Sequence, residues 1–252
     1  MRSLVIAALI ALGLAAPARA AAPEPVDVEL ILAVDVSRSI DPQEQELQFR
    51  GYAAAFRDPK TIEGIRGGPV GAIAVMLFTW SDHHVQETLV PWTLIHDEAS
   101  ARAFADAIDA APKRVWLYTS ISGAIEYGVR QFGQAFEGTR RVMDISGDGA
   151  NNSGPPVSEA RDAAIAQGVT INGLAIIDAN PGPWAQHQPP LDAYYQEEVI
   201  GGAGCFLVVA DGFDAFETAV KRKLIREIAM SWPENDPGIV RVGKLDGVAA
   251  AR

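Results

Sequence analysis

The chain has 252 residues, with 21 Lys+Arg against 32 Asp+Glu and a formal net charge of −11. That excess of carboxylates repels nucleic acid and anionic lipid head groups, which argues against partners of either class. The one cysteine, Cys205, excludes an internal disulfide framework, and its setting in "GCFLVVA" reads as a small buried hydrophobe rather than a reactive thiol.

Arg2, the apolar run from Leu4 to Ala16 and the small-x-small triplet Ala18-Arg19-Ala20 read as a secretory signal peptide over residues 1–20, with cleavage before Ala21. A second triplet, Ala20-Ala21-Ala22, allows the cut to shift by a residue or two. Cleavage takes two arginines from the 21 and leaves 19 against 32, a formal charge of −13. No later stretch is apolar and long enough to span a bilayer, and Cys205 lies too far from the signal to carry a lipid anchor. The expectation is an exported protein, periplasmic or secreted, with one domain over residues 21–232 and a loose tail over 233–252.

Apolar runs of strand character alternate with segments of helical period, which predicts an α/β domain with a mainly parallel sheet. The predicted strands are Val28 to Val36, Gly71 to Thr79, Val85 to Val90, Arg141 to Ile145, Thr170 to Ile177 and Phe206 to Ala210. Only "WSDHH" separates the second from the third, too little for a crossover helix, so that pair is predicted to be an antiparallel hairpin with the third strand at an edge.

Asp41-Pro42-Gln43-Glu44 supplies a capping aspartate, a first-turn proline and a glutamate three residues after the cap, predicting a helix to about Phe56. Further helices are predicted over Asp97 to Ala110, over the stripe from Ile121 to Phe132, over Val157 to Gln167 with Gly168 as terminator, and over Phe213 to Ile228. Asp178 to Ala193, "DANPGPWAQHQPPLDA", reads as a proline-rich loop leaving the carboxyl edge of the sheet, where open α/β sheets bind ligands.

The candidate chemistry collects at that edge. In "ILAVDVSRSID" a buried strand stops on Asp35, and Ser37 and Ser39 follow at alternate positions. Thr119 precedes a predicted helix in "LYTSISGAI", and Asp148 follows the fourth strand in "SGDGANN". Each has an ordinary explanation, since Ser and Thr cap helices and Asp-Gly makes turns. Together they are five hard oxygen donors, which suit magnesium, calcium or manganese, and no nearby histidine or cysteine cluster points to zinc or copper.

These motifs resemble the metal-ion-dependent adhesion site of von Willebrand factor type A domains, and the hairpin "VGAIAVMLFTWSDHHVQETLVPWTLI" is similar to that family's second and third strands. "DVSRSID", "SGDGANN" and "VIGGAGCFLVVADGFDAF" further resemble exported bacterial proteins of unknown function that carry this domain. The resemblance spans Val26 to Trp232 and implies a three-layer Rossmann-like α/β fold, mainly parallel with one antiparallel edge strand. It implies that Ser37 and Ser39 bind a divalent cation directly, with Thr119 as a further ligand, while Asp35 and Asp148 act directly or through water. Magnesium is the expected ion, with calcium and manganese as alternatives. One departure stands out: the wider family's usual threonine or serine before the last Asp-Gly is Gly147 here, which changes the surroundings of the site but removes no expected ligand.

Two carboxylates only just neutralise a divalent ion, which leaves it able to take one more anion. The expected function is therefore binding of a protein partner that presents a carboxylate, and not catalysis. A competing magnesium-dependent phosphatase reading rests on the likeness of "SGDGANN" to GDGxND, but those enzymes need a second acid where Ser37 stands. A scaffold stabilised by its metal is the third reading. No phosphate-cradling glycine motif is present. His83 and His84 read as solvated turn residues, His187 as unpositioned, Asp144 as a group behind the site or a strand-end cap, and Asn151 and Asn152 as braces of the loop after Asp148. Trp80, Trp92 and Trp116 read as core or strand-end packing, and Trp184 as the tryptophan for partner contact.

Overall fold

A computed structural model describes residues 22–177, 189–228 and 238–243. Seven strands form one sheet in the order β3-β2-β1-β4-β5-β6-β7: β1 is Glu24–Asp35, β2 Ile73–Trp80, β3 Gln86–Ile95, β4 Phe136–Gly147, β5 Val169–Ile176, β6 Leu207–Ala210 and β7 Ile239–Val242. Every neighbouring pair is parallel except β2 with β3, the expected hairpin, which puts β3 at the edge. β3 runs past its predicted end at Val90. Pro91 falls where the β2–β3 register shifts, between the pairs Leu77–Val90 and Val75–Thr93, a place where an edge strand tolerates a residue without N–H.

Alternate residues of the central strands feed two cores. Val28, Leu30, Leu32 and Val34 face one layer, built from α1 (Pro42–Phe56), α2 (Pro59–Arg66), α3 (Glu98–Asp109) and α7 (Phe216–Ile228). Ile31 and Ala33 face the other, built from α4 (Ile121–Val129), α5 (Val157–Ile165) and α6 (Leu191–Tyr194), which continues as a π-helical turn over Tyr195–Val199. The capping box of α1 is present: Asp41 accepts from Gln43 N–H and Glu44 N–H, and Glu44 accepts from Asp41 N–H. Gly168, with φ +79°, ends α5 in the left-handed conformation that suits glycine.

Three elements lie outside the sequence expectation. α2 starts at Asp58-Pro59, the same start signal as Asp41-Pro42 on a helix of only 8 residues. The helix from Leu191 lies partly in the segment read as loop. Within the segment after Trp232, read as a loose tail, Ile239–Val242 forms β7, which pairs in parallel with β6. Four residues of Ile-Val-Arg-Val between glycines are too short to signal a strand by alternation alone. The predicted signal peptide and residues 178–188, with Trp184 and His187, lie outside the described residues. Among the described residues no helix is long and apolar enough to cross a membrane.

The order of the sheet positions the site. From β1 the chain crosses through α1 to β2 on one side, and later through α3 and α4 to β4 on the other. The carboxyl end of β1 is thus a topological switch point, where two loops diverge and leave a crevice between them.

Candidate metal centre

Asp35 is the last residue of β1 and is fully buried. Its Oδ1 accepts the Ser37 backbone N–H at 2.7 Å, which bends the chain out of the strand, and Ile40 N–H closes the turn on Ser37 O at 3.0 Å. That turn brings the Ser37 and Ser39 hydroxyls within 3.2 Å of each other. Ser39 Oγ then donates to Asp148 Oδ1 at 2.7 Å, across 109 positions of sequence. Asp35, Ser37, Ser39 and Asp148 are therefore joined by one continuous chain of contacts, running from the buried strand end to a partly exposed rim.

Thr119 reaches the same edge differently. Its N–H donates to Asn152 Oδ1 at 2.8 Å, and its carbonyl accepts from Asn152 N–H at 2.8 Å and Ser153 N–H at 3.2 Å. Its hydroxyl lies 3.8 Å from where a side chain on Gly149 would begin, on the Asp148 side of the crevice. Asn151 Oδ1 accepts from Ser122 N–H at 3.2 Å, while its Nδ2 donates to Pro155 O. The two asparagines thus brace this loop through backbone groups, as their sequence positions predict.

Burial pushes the Asp35 carboxyl well above the usual carboxylate range, the charge of Asp148 pushes it the same way, and hydrogen bonding from Ser37 and, less, from the Asp148 backbone N–H pulls against both. Asp35 Oδ2 is buried and makes no well-formed hydrogen bond, an arrangement that costs free energy unless something else answers the oxygen. The Tyr195 hydroxyl is also buried without a partner. Both stand beside Gly147: a Cβ there would lie 2.8 Å from Tyr195 OH and 2.9 Å from Asp35 Oδ2. The departure at Gly147 has a physical reason, since a phenol from the π-helical turn fills the space a side chain would need. Burial raises the Tyr195 pKa well above that of an ordinary phenol, with the charges of Asp35 and Asp148 adding to it. No local signal in the sequence marks Tyr195, because only the tertiary fold carries it to β4.

Several expectations need correction. Asp144 neither backs the site nor caps its strand: it points to the opposite face of the sheet, where Lys223 Nζ lies 2.8 Å from its Oδ1 and also pairs with Glu227. Burial pushes Asp144 up to about 7, Lys223 opposing and Glu227 reinforcing the shift. His84 is exposed, as expected, but His83 is only half-exposed: it packs beside Gly154, and its ring centroid lies 4.3 Å from that of His84. Trp80 is core and Trp92 is half-buried, its Nε1 donating to Gln131 O, but Trp116 is exposed. Cys205 is half-buried, and burial raises its thiol pKa, in keeping with an unreactive side chain.

The donors at this edge are carboxylate and hydroxyl oxygens. Among the described residues no group of three or more His, Cys, Asp or Glu side chains converges as a metal site. An oxygen-only set containing an unanswered buried carboxylate oxygen fits a hard divalent cation.

The fold is that of a von Willebrand factor type A domain. Proximal thread matrix protein 1 from the mussel byssus, in a structure with a zinc-occupied metal-ion-dependent adhesion site motif, is 16% identical with a TM-score of 0.59 over 81% of this chain and 48% of that one. This chain thus spans about half the length of the mussel protein. The conserved hypothetical protein BatB from Bacteroides thetaiotaomicron is 19% identical, TM-score 0.53, over 81% of this chain and all of that one. A von Willebrand factor type A protein from Catenulispora acidiphila is 14% identical, TM-score 0.54, over 81% and 42%. The chain belongs to the family described as "Protein of unknown function (DUF1194)", whose sequence model matches residues 25–232. Comparison with curated proteins returns no match.

Proposed function

We propose that this protein is an exported, metal-dependent protein-binding module that holds one divalent cation, magnesium first among the candidates, with Asp35, Ser37, Ser39, Thr119 and Asp148. The observation that carries the reading is the contact chain from Asp35 through Ser37 and Ser39 to Asp148, which starts at a buried carboxylate with one oxygen in no well-formed hydrogen bond. The zinc-occupied motif of the mussel protein supports a divalent ion on this fold. When bound, the ion supplies positive charge at the crevice mouth. The residues supply the rest: Asp35 and Asp148 bring two negative charges that just balance those of the ion, the serine hydroxyls bring none, and the ion, neutralised but not over-compensated, still attracts a carboxylate on a partner as a ligand. The partly exposed Asp148 and exposed Ser39 put that attraction at the surface. The signal-like amino terminus supports action outside the cytoplasm.

Thermal unfolding with and without magnesium tests the reading. A ligand at about 100 times its Kd stabilises the native state by about 2.7 kcal/mol, so the wild type gains several degrees. Asp35→Ala and Asp148→Ala gain none. An equal gain in both variants would remove the assignment. Pull-downs from the exporting cell's envelope, with and without chelator, separate recognition from a purely stabilising metal: a chelator-sensitive partner set is expected, and an indifferent one favours the scaffold.

A further inference from the structure

Four consecutive apolar side chains stand in solvent beside the crevice: Val115 is 42% exposed, Trp116 41%, Leu117 62% and Tyr118 55%. They precede Thr119 in the irregular connection between α3 and α4. A connection needs no apolar residues, and contiguous exposed apolar surface marks an interaction site more often than a linker. The backbone beneath them is held in place. Gln45 Nε2 donates to Arg114 O at 2.9 Å, Trp116 N–H donates to Val36 O at 3.0 Å, and Ser81 Oγ donates to Tyr118 O at 2.5 Å. Those bonds tie the segment to α1, to the residue between Asp35 and Ser37, and to the end of the β2 region, so the side chains project outward from a fixed strip.

Charge around the strip narrows the occupant. Lys113 and Arg114, just upstream, are paired with Glu46 and Glu87 and so are largely neutralised. Arg38, between the two serines, is exposed and makes no ion pair among the described residues. On a chain of net charge −11, the mouth of the crevice therefore adds an uncompensated cation to apolar surface. A second copy of this chain would bring the same negative charge and is opposed by it.

We infer that Val115, Trp116, Leu117 and Tyr118 form a docking strip for an extended peptide in which a carboxylate side chain is followed directly by aliphatic or aromatic residues. The carboxylate lies at the Asp35–Asp148 crevice, near Arg38, and the apolar residues lie along the strip. This rests on the metal-binding reading above, and deepens it by naming the class of partner. The strip then supplies what a single carboxylate contact lacks, because an ion alone does not tell one acidic residue from another.

Fluorescence anisotropy with three dye-labelled probes in saturating Mn2+ tests it: acetyl-Gly-Asp-Leu-Phe-Leu-amide, acetyl-Gly-Asp-Gly-Ser-Gly-amide and acetyl-Gly-Asn-Leu-Phe-Leu-amide. The first is expected to bind at least tenfold more tightly than the second, and the third, or the first in chelator, is expected to bind as weakly as background. In Trp116→Ser/Leu117→Ser the tenfold preference disappears, while Mn2+ uptake followed by calorimetry is unchanged. Equal affinity for the first two probes, no binding of either, or a preference that survives the double variant overturns the strip and leaves the metal reading intact. Absence of Mn2+ uptake by the wild type removes both, and the calorimetry tells that failure from the others. Self-association in sedimentation velocity, or partition onto phosphatidylcholine vesicles, that is lost in the double variant would assign the strip to a second copy or to a membrane and overturn the peptide.

Discussion

Strand β1 carries three buried carboxylates, Asp27 and Glu29 near its start and Asp35 at its end, and Glu29 and Asp35 share a face about 20 Å apart along an extended strand. Glu29 is fully answered: Gly133 N–H donates to Oε2 at 2.8 Å, Gly138 N–H to Oε1 at 2.9 Å, and Arg141 Nε lies 3.4 Å from Oε1. Asp35 has one oxygen on Ser37 N–H, and its other oxygen makes no well-formed hydrogen bond. The same residue chemistry, at equal burial on one strand, thus serves two ends. At the amino end the carboxylate ties the loop after α4 to β1. At the carboxyl end a carboxylate is left under-satisfied at a switch point, which is where a fold places binding chemistry at the expense of local stability. Asp144, a buried carboxylate on the opposite face, is answered by Lys223.

Variants can break this contrast. Glu29→Ala should cost the most, about 3 kcal/mol or more, because two charge-assisted hydrogen bonds vanish and two backbone N–H groups lose their partner. Denaturant unfolding measures the loss, and the magnesium-induced thermal shift should survive in whatever protein folds; a lost shift would mean that the two ends are not separate. Gly147→Ser should cost about 1–3 kcal/mol, since its Cβ meets both the Tyr195 hydroxyl and Asp35 Oδ2. In a Tyr195→Phe background the cost should fall, a non-additivity that reports direct contact. Additive costs would show that Tyr195 is not what excludes a side chain there.

The third prediction concerns pH. Asp144 has its folded pKa raised, to about 7 from 3.8. A raised carboxyl binds its proton more tightly in the native state, so its contribution to stability is complete below pH 3.8 and is lost as pH rises through about 7. Between those limits, with chelator present throughout, Asp144→Asn should show a flatter dependence of the denaturation midpoint on pH than the wild type. Parallel curves would remove the assignment to Asp144.

Much of the site was legible because its signals are local. A strand that stops on Asp35, alternating serines, a Thr-Ser pair before α4 and Gly-Asp-Gly after β4 each declare themselves within a few residues, and the capping box at Asp41 fixes where α1 begins. The β2–β3 hairpin was legible from a connection too short for a crossover. What escaped depends on contacts far apart in sequence. Tyr195 reaches Gly147 only through the packing of α6 and its π-helical turn against β5. Asp144 finds Lys223 only because α7 lies across the opposite face. Trp116 resembles a core residue by type, and only the pinning of residues 114–118 at the sheet edge explains why it faces out. α2 was within reach, since Asp58-Pro59 repeats the signal at Asp41-Pro42, whereas β7 gave too short a pattern to separate from its surroundings.

Isothermal calorimetry of Mn2+ into the wild type, Asp35→Asn and Asp148→Asn tests the central claim most directly. The account predicts uptake of one ion per chain by the wild type and none by either variant, with all three folded by circular dichroism. No uptake by the wild type, or equal uptake by all three, would contradict it.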